Sequence, residues 1–120
     1  MSSVLILYGI TTCDTVRKAR RWLEGVGVAY RYHDLRKDGL SASHLAIWVK
    51  SAGWEALLNK SGTTFRKLPD AEKQIDTEAQ AVALMLGHPT VIKRPVLVCD
   101  GVVTLGFKPE RYEALFASKA

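Results

Sequence analysis

The fold is decided by one stretch near the start of the chain, Tyr8-Gly9-Ile10-Thr11-Thr12-Cys13-Asp14-Thr15-Val16-Arg17-Lys18-Ala19-Arg20. It joins an apolar strand, residues 4–8, to a helix through a cysteine. The strand is continuously apolar, as in a strand that is buried on both faces. Beyond the cysteine, apolar residues recur at the spacing of one helix face: Val16, Ala19, Leu23 and Val26. Residues 28–34 predict a second strand, so the chain opens with a right-handed parallel βαβ unit.

The middle of the chain has the pattern of helices. The first of them follows a serine cap, Ser41 or Ser43, and the last follows a cap that we predict to be Asp76. No linker rich in glycine, serine or proline sets this segment apart. We therefore predict one domain over residues 1–120, with a helical insertion at about residues 38–90 that packs on the same core.

A hairpin is the clearest local signal in the second half. Asp100-Gly101 separates two apolar runs, residues 95–99 and 102–105, and Asp-Gly favours a two-residue type I′ turn. Pro109 then suits the first turn of a closing helix. The order is β, α, β, helical insertion, β, β, α. This is an α/β thioredoxin-like fold, in which a βαβ half and a ββα half flank the insertion.

Composition limits the class of protein. A chain of 120 residues that is 48% hydrophobic can bury one core, and no apolar run approaches the ~20 residues of a membrane span. The N-terminus lacks a signal-peptide pattern, so we expect a soluble, cytoplasmic protein. Two cysteines without zinc spacing predict neither a disulfide framework nor a metal site. The net charge of +5 favours anionic partners such as phosphates, oxyanions, glutathione carboxylates or nucleic acid.

Cys13 is the residue at which we expect chemistry. It stands where the backbone N–H groups of a helix lack partners and the helix dipole is positive, which favours the nucleophilic thiolate. Arg17, one helical turn further on, adds a cation. Asp14 would oppose ionisation of the thiol, and we expect it to cap the helix instead. The alternative is a buried, inert cysteine.

Arg94-Pro95 leads into the third strand. A proline is tolerated at the first residue of a strand, and an X-Pro bond can be cis. The guanidinium of Arg94 would be held by this stiff backbone and matches an oxyanion or a carboxylate with two donors, unless it is a solvated surface arginine. Cys99 fits a small core residue, and the alternative makes it a resolving thiol for Cys13.

Four blocks of the chain resemble the arsenate reductase (ArsC)/Spx family, and within it the YffB-like branch. They are Tyr8-Gly9-Ile10-x-x-Cys13-Asp14-Thr15-x-Arg17-Lys18-Ala19-Arg20-x-Trp22-Leu23, Asn59-Lys60-Ser61-Gly62-Thr63-Thr64-Phe65-Arg66-Lys67-Leu68, Ile92-Lys93-Arg94-Pro95 and Gly106-Phe107-Lys108-Pro109. The resemblance covers nearly the whole chain. It implies a thioredoxin-like fold with a helical insertion, Cys13 as the redox nucleophile and Pro95 as the family's cis-proline.

The chain departs from two branches of that family. In the arsenate-reducing members three arginines surround the thiol, and here only Arg94 falls on such a position, while Asn59 and Lys108 occupy the other two. The histidine that precedes the cysteine in those enzymes is replaced by Gly9. The Spx-like members bind RNA polymerase and carry a Cys-x-x-Cys switch, whose second cysteine is Val16 here. The resemblance thus implies a single-thiol, glutathione-dependent reductase of the YffB-like kind.

The function we predict is a monothiol oxidoreductase of the ArsC/YffB-like type. The Cys13 thiolate attacks a small oxidised or anionic substrate, and glutathione resolves the adduct. The predicted catalytic residues are Cys13, Arg17 and Arg94. Those predicted to bind substrate or glutathione are Thr12, Asn59, Lys60, Arg94, Pro95 and Lys108. Two alternatives stay open: an arsenate reductase that uses glutathione and glutaredoxin, and a transcription regulator of the Spx kind that binds RNA polymerase. Nucleic acid and membrane are not expected as partners.

Overall fold

The computed structural model describes residues 5–117, in which four strands form one mixed sheet. The strands are β1 (Leu5–Gly9), β2 (Arg31–Asp34), β3 (Val96–Cys99) and β4 (Val102–Leu105). Their order is β2-β1-β3-β4, with β2 parallel to β1 and the other two pairs antiparallel. This topology confirms the α/β class and the thioredoxin-like plan of a βαβ half and a ββα half.

The chain divides into two compact units. Within the described residues, one consists of residues 5–34 and 94–117, and the other is Leu35–Lys93. The prediction of one domain over residues 1–120 with an insertion at about residues 38–90 stays a prediction. That the insertion packs on the core of the sheet stays a prediction.

The core of the first unit lies between the sheet and two helices, α1 (Asp14–Gly25) and α6 (Pro109–Ala117). Helix α6 begins at Pro109, as predicted. The core residues combine apolar side chains of the sheet with those of both helices: Leu5, Leu7, Ala19, Leu23, Leu97, Cys99 and Tyr112. The ring of Trp22 packs between the helices, stacked on Phe116 and edge-on to Tyr112. Val16, Ala19 and Leu23 of the predicted helical spacing are the buried residues of α1. Val26 was wrongly included, because it lies beyond the end of the helix and is 53% exposed.

The second unit contains the helices α2 (Ala42–Ala52), α3 (Trp54–Leu57), α4 (Thr63–Arg66) and α5 (Glu78–Gly87), with 3₁₀ turns at Asp70–Lys73 and Pro89–Val91. Ser41 caps α2, because its hydroxyl accepts from the backbone N–H of His44 at 3.3 Å. Asp76 was the wrong cap for α5. Thr77 caps it instead, since Gln80 stands at the third helical position and completes a capping box. No helix within residues 5–117 is long and apolar enough to cross a membrane.

Three strand boundaries differ from the prediction. Strand β1 ends at Gly9 rather than at Tyr8, and β3 begins at Val96, one residue later than expected. Val4, the predicted start of the first strand, lies outside the described residues. Strand β2 begins at Arg31 rather than at residue 28. The backbone N–H of Val28 donates to Leu23 O at 3.0 Å and so closes the end of α1. The beginning of the predicted second strand therefore terminates the helix instead of pairing with β1.

The β3–β4 turn and the proline before β3 both follow the prediction. Asp100 and Gly101 have positive φ angles of 52° and 79°, as a type I′ turn requires at its two central residues. The peptide bond between Arg94 and Pro95 is cis. The β3–β4 turn and the peptide bond before β3 thus have the conformations expected from the sequence.

Candidate active site

Cys13 lies in the connection between β1 and α1. Its backbone N–H donates to Ile10 O at 2.9 Å, and its carbonyl accepts from Arg17 N at 3.0 Å, so it is the N-cap residue of the helix. The side chain is half-buried. Within residues 5–117, it makes no hydrogen bond that caps α1. The thiol is therefore accessible and close to the positive end of the helix, while its direction is set by the backbone that carries it.

Gly9 allows α1 to start close to the end of β1. A Cβ atom at this position would lie 2.6 and 2.8 Å from the two Cγ atoms of Val16, which is fully buried in α1. Real Cβ contacts are never that short. Gly9 and Val16 thus pack directly against each other.

The cis-proline lies at the same end of the sheet as Cys13. Strand β3 pairs with β1 so that Val96 is opposite Tyr8, and Pro95 therefore comes next to Gly9, where β1 ends. Arg94, which is half-buried, precedes it. The register thus brings the predicted Arg94-Pro95 pair to the same end of the sheet as the loop that carries Cys13.

Lys108 follows a segment that is hydrogen-bonded to Pro95 at the same end of the sheet. Gly106 N donates to Pro95 O at 2.9 Å, just after the end of β4. The carbonyl of Lys108 accepts from Arg111 N at 3.0 Å and from Tyr112 N at 3.1 Å, at the beginning of α6. Its ammonium is exposed. A second cation is thus available near the end of the sheet that holds the thiol.

Arg17 forms an ion pair with Asp14 one turn earlier in α1. The prediction that Asp14 caps the helix was wrong. Asp14 is the first residue of α1, and its side chain accepts from the Arg17 guanidinium, while Cys13 occupies the cap position. Both side chains are exposed, at 83% for Asp14 and 52% for Arg17. The role predicted for Arg17 at the thiol stays a prediction.

The structure gives the local surroundings of the other three predicted binding residues. Thr12 is exposed in the loop before Cys13. Asn59 and Lys60 belong to the second unit, where Asn59 N donates to Val91 O at 2.8 Å and Asn59 Oδ1 accepts from the Ser61 hydroxyl at 2.9 Å. Their part in binding substrate or glutathione stays a prediction.

Cys99 is a core residue. It is 5% exposed and lies opposite Leu5, at the end of β1 that is remote from Cys13. The four residue steps from Leu5 to Gly9 span about 13 Å at ~3.3 Å each. A disulfide needs Cα atoms less than about 7 Å apart. The register therefore argues against Cys99 as the resolving thiol of Cys13.

A buried carboxylate next to the Cys13 loop was missed in the sequence. Asp34, 5% exposed at the end of β2, accepts two hydrogen bonds at Oδ2. The donors are Thr11 N at 3.2 Å and the Thr11 hydroxyl at 2.6 Å. The hydroxyl of Tyr32 lies 3.3 Å from that of Thr11. Only the parallel register, which places Asp34 beside Gly9, brings these residues together.

Arg20 joins α1 to the same strand. Its guanidinium carbon lies 3.9 Å from the centre of the Tyr32 ring, and its Nε donates to the Tyr30 hydroxyl at 3.1 Å. Burial raises the pKa of Tyr32, and the negative charge of Asp34 acts in the same direction. Tyr32 therefore stays neutral at physiological pH and keeps its hydroxyl proton.

Comparison with known proteins connects this geometry to a family. The model of the ArsC family matches residues 8–115. A protein of Haemophilus influenzae is 38% identical over 114 residues, which cover 95% of this chain and all of its relative. The Spx global transcriptional regulator of Streptococcus mutans is 23% identical over 113 residues, covering 92% of this chain and 82% of the regulator.

Two solved structures are similar over nearly their whole length. A protein named YffB superimposes with a TM-score of 0.88 at 49% identity, covering 92% of this chain and 97% of its own. A Brucella melitensis protein described as related to arsenate reductase (ArsC) has a TM-score of 0.76 at 50% identity, with 94% of each chain covered. These similarities support both the fold and the resemblance seen in the sequence blocks.

Proposed function

Because the chain belongs to the ArsC family, we propose that it is a thiol oxidoreductase in which Cys13 reduces an oxidised substrate with glutathione as the reductant. The observation that carries this proposal is the position of Cys13. It is a half-buried cap residue at a helix start, and the register brings the cis peptide bond of Pro95 to the same end of the sheet. The helix start favours the thiolate, which is the attacking species.

For a disulfide substrate the chemistry balances as two thiol exchanges. The Cys13 thiolate attacks one substrate sulfur, the substrate S–S bond breaks, and the released thiolate takes a proton from solvent. A mixed disulfide between Cys13 and the other half of the substrate remains. One glutathione thiolate displaces that half and leaves glutathione on Cys13. A second glutathione then restores the Cys13 thiolate, and the products are two reduced thiols and one glutathione disulfide.

The cations near this end of the sheet suit a carboxylate-bearing co-substrate. Glutathione carries two carboxylates, and the Arg94 guanidinium offers a fork of donors to one of them. Lys108 adds a point charge rather than a second fork. Of the Arg94 and Lys108 side chains, only that of Arg94 can bind a carboxylate through two parallel hydrogen bonds. We therefore assign glutathione binding chiefly to Arg94, with Lys108 contributing attraction.

Turnover of a small disulfide by glutathione tests the proposal. Oxidised glutathione is followed by coupling to glutathione reductase. We expect turnover by the wild type, none by Cys13→Ser, and wild-type turnover by Cys99→Ser, the matched control in the core. Arg94→Lys keeps the charge but removes the fork, so we expect it to raise the KM for glutathione. Turnover by Cys13→Ser equal to that of the wild type would refute the proposal.

Arsenate reduction is a second candidate, because a solved relative of 50% identity is described as related to arsenate reductase. The same assay with arsenate, glutathione and glutaredoxin separates it from the first. We expect arsenate turnover at least about tenfold below that of the disulfide, because Arg94 supplies one fork where the arsenate-reducing members have three. Equal turnover would assign arsenate as the substrate.

A further inference from the structure

We propose that Asp34 is a positioning residue for Cys13, which it holds through Thr11. This inference rests on the proposed role of Cys13 as the reactive thiol. We call Thr11, Tyr32 and Asp34 the Thr11 clamp. Its members come from the loop before the cysteine and from β2, the strand at the edge of the sheet.

The clamp fixes both the main chain and the side chain of Thr11. Asp34 Oδ2 accepts from the backbone N–H at 3.2 Å and from the hydroxyl at 2.6 Å, so one buried oxygen holds two donors of one residue. Hydrogen bonds to a carboxylate are stronger and shorter than those between neutral groups. Thr11 stands two residues before Cys13, whose own N–H is bound to Ile10 O. The backbone that leads to the thiol is therefore tied at successive points.

Tyr32 and Arg20 extend the clamp to the helix. Thr11 has one hydroxyl proton, which it donates to the carboxylate, so Tyr32 donates its own proton to the Thr11 oxygen at 3.3 Å. The Arg20 guanidinium lies over the Tyr32 ring and so connects α1 to the same strand. Cys13 is thus held between two attachments to β2, one before it in the loop and one after it in the helix.

The clamp matters for reactivity because the sulfur has no capping bond of its own. In the described residues, the Cys13 side chain makes no hydrogen bond to the N–H groups at the start of α1. Its distance from the positive end of the helix is therefore set by the backbone of the loop. Loosening that loop lets the sulfur move away from the helix start, which lowers the reactivity of the thiol near neutral pH.

Alkylation of Cys13 by iodoacetamide, followed by peptide mass spectrometry, tests the clamp without glutathione or a substrate. The readout is the rate at about pH 7 divided by the rate at about pH 10, where a thiol is ionised in any environment. Thr11→Val removes the hydroxyl while conserving shape, and Thr11→Ser restores it. Asp34→Asn removes the charge, and Tyr32→Phe removes only the outer hydroxyl. Thr104→Val, on β4 outside the clamp, is the matched control.

We expect Thr11→Val and Asp34→Asn to lower this ratio about threefold to tenfold, and Tyr32→Phe to lower it less. Thr11→Ser and Thr104→Val should keep the wild-type ratio. Melting temperatures of all variants are measured at both pH values, and ratios are compared only among variants that are folded under the assay conditions, because an unfolded chain reacts with the ratio of a free thiol. The change in ratio therefore distinguishes positioning of the thiol from general destabilisation.

A wild-type ratio in both Thr11→Val and Asp34→Asn would overturn the inference, whatever their melting temperatures. A fall in Thr11→Val that Thr11→Ser does not reverse would also overturn it, because the hydroxyl would then not be the cause. If wild-type Cys13 reacts no faster than free cysteine at about pH 7, the proposed function fails, and the inference with it. If wild-type Cys13 is reactive but the clamp variants keep the wild-type ratio, only the inference about the clamp fails and the proposed function stands.

Discussion

Replacement of Gly9 by alanine tests the packing that places Cys13 at the helix start. The added Cβ would lie 2.6 and 2.8 Å from the Cγ atoms of Val16, whereas carbon atoms prefer a separation of about 3.5–4.0 Å. Strand and helix must therefore move apart by about 1 Å. Overpacking of this kind costs about 1–3 kcal/mol. A glycine replaced without strain would instead stabilise the fold by about 0.4–1 kcal/mol, so the two cases differ in sign.

The assay is urea unfolding of Gly9→Ala, Val16→Ala and the double variant. Val16→Ala removes two buried methyl groups and should cost about 2 kcal/mol. We expect the double variant to be no less stable than Val16→Ala alone, because the new methyl fills the space that valine leaves. Gly25→Ala is the control, since a Cβ there meets nothing within 4 Å. A Gly9→Ala protein as stable as the wild type, or strictly additive losses, would refute the reasoning.

Two further predictions concern pH and charge. Burial raises the pKa of Tyr112 well above its ordinary value, so above about pH 10 the unfolded chain loses this proton while the folded chain keeps it. The free energy of unfolding should therefore fall as pH rises through that region, and less steeply in Tyr112→Phe; equal slopes in urea titrations would contradict this. Asp14→Asn removes a negative charge beside Cys13 and releases Arg17, so we expect alkylation of the thiol at about pH 7 to quicken about twofold. The control is Asp70→Asn, and an unchanged rate in Asp14→Asn would be the opposing result.

Local signals predicted their elements well. Asp100-Gly101 sets a type I′ turn because both residues tolerate positive φ, which requires no knowledge of the rest of the chain. Ser41 as the cap of α2 rests on one hydroxyl and a backbone N–H three residues away. The order of strands and helices then followed, and with it the sheet that carries Cys13. These features depend on chemistry within a few residues.

Features that depend on pairing between distant residues were not predictable in the same way. The contact between Asp34 and Thr11 exists because β2 lies parallel to β1 with Asp34 beside Gly9, a register that no local pattern specifies. An acidic residue at the end of a predicted strand was the available signal, and it is a weak one. The cap of α5 was misplaced by one residue for another reason, because Thr77 and Gln80, three residues apart, carry a local capping-box signal that was overlooked.

The central claim, a single reactive thiol that exchanges with glutathione, is tested most directly by mass spectrometry after exposure to oxidised glutathione. We predict one glutathione per chain, attached to the peptide that contains Cys13 and released by reduced glutathione. Cys13→Ser should carry none, because Cys99 is only 5% exposed. Modification of Cys99 in place of Cys13, or an unmodified wild type under conditions that modify free cysteine, would contradict the account.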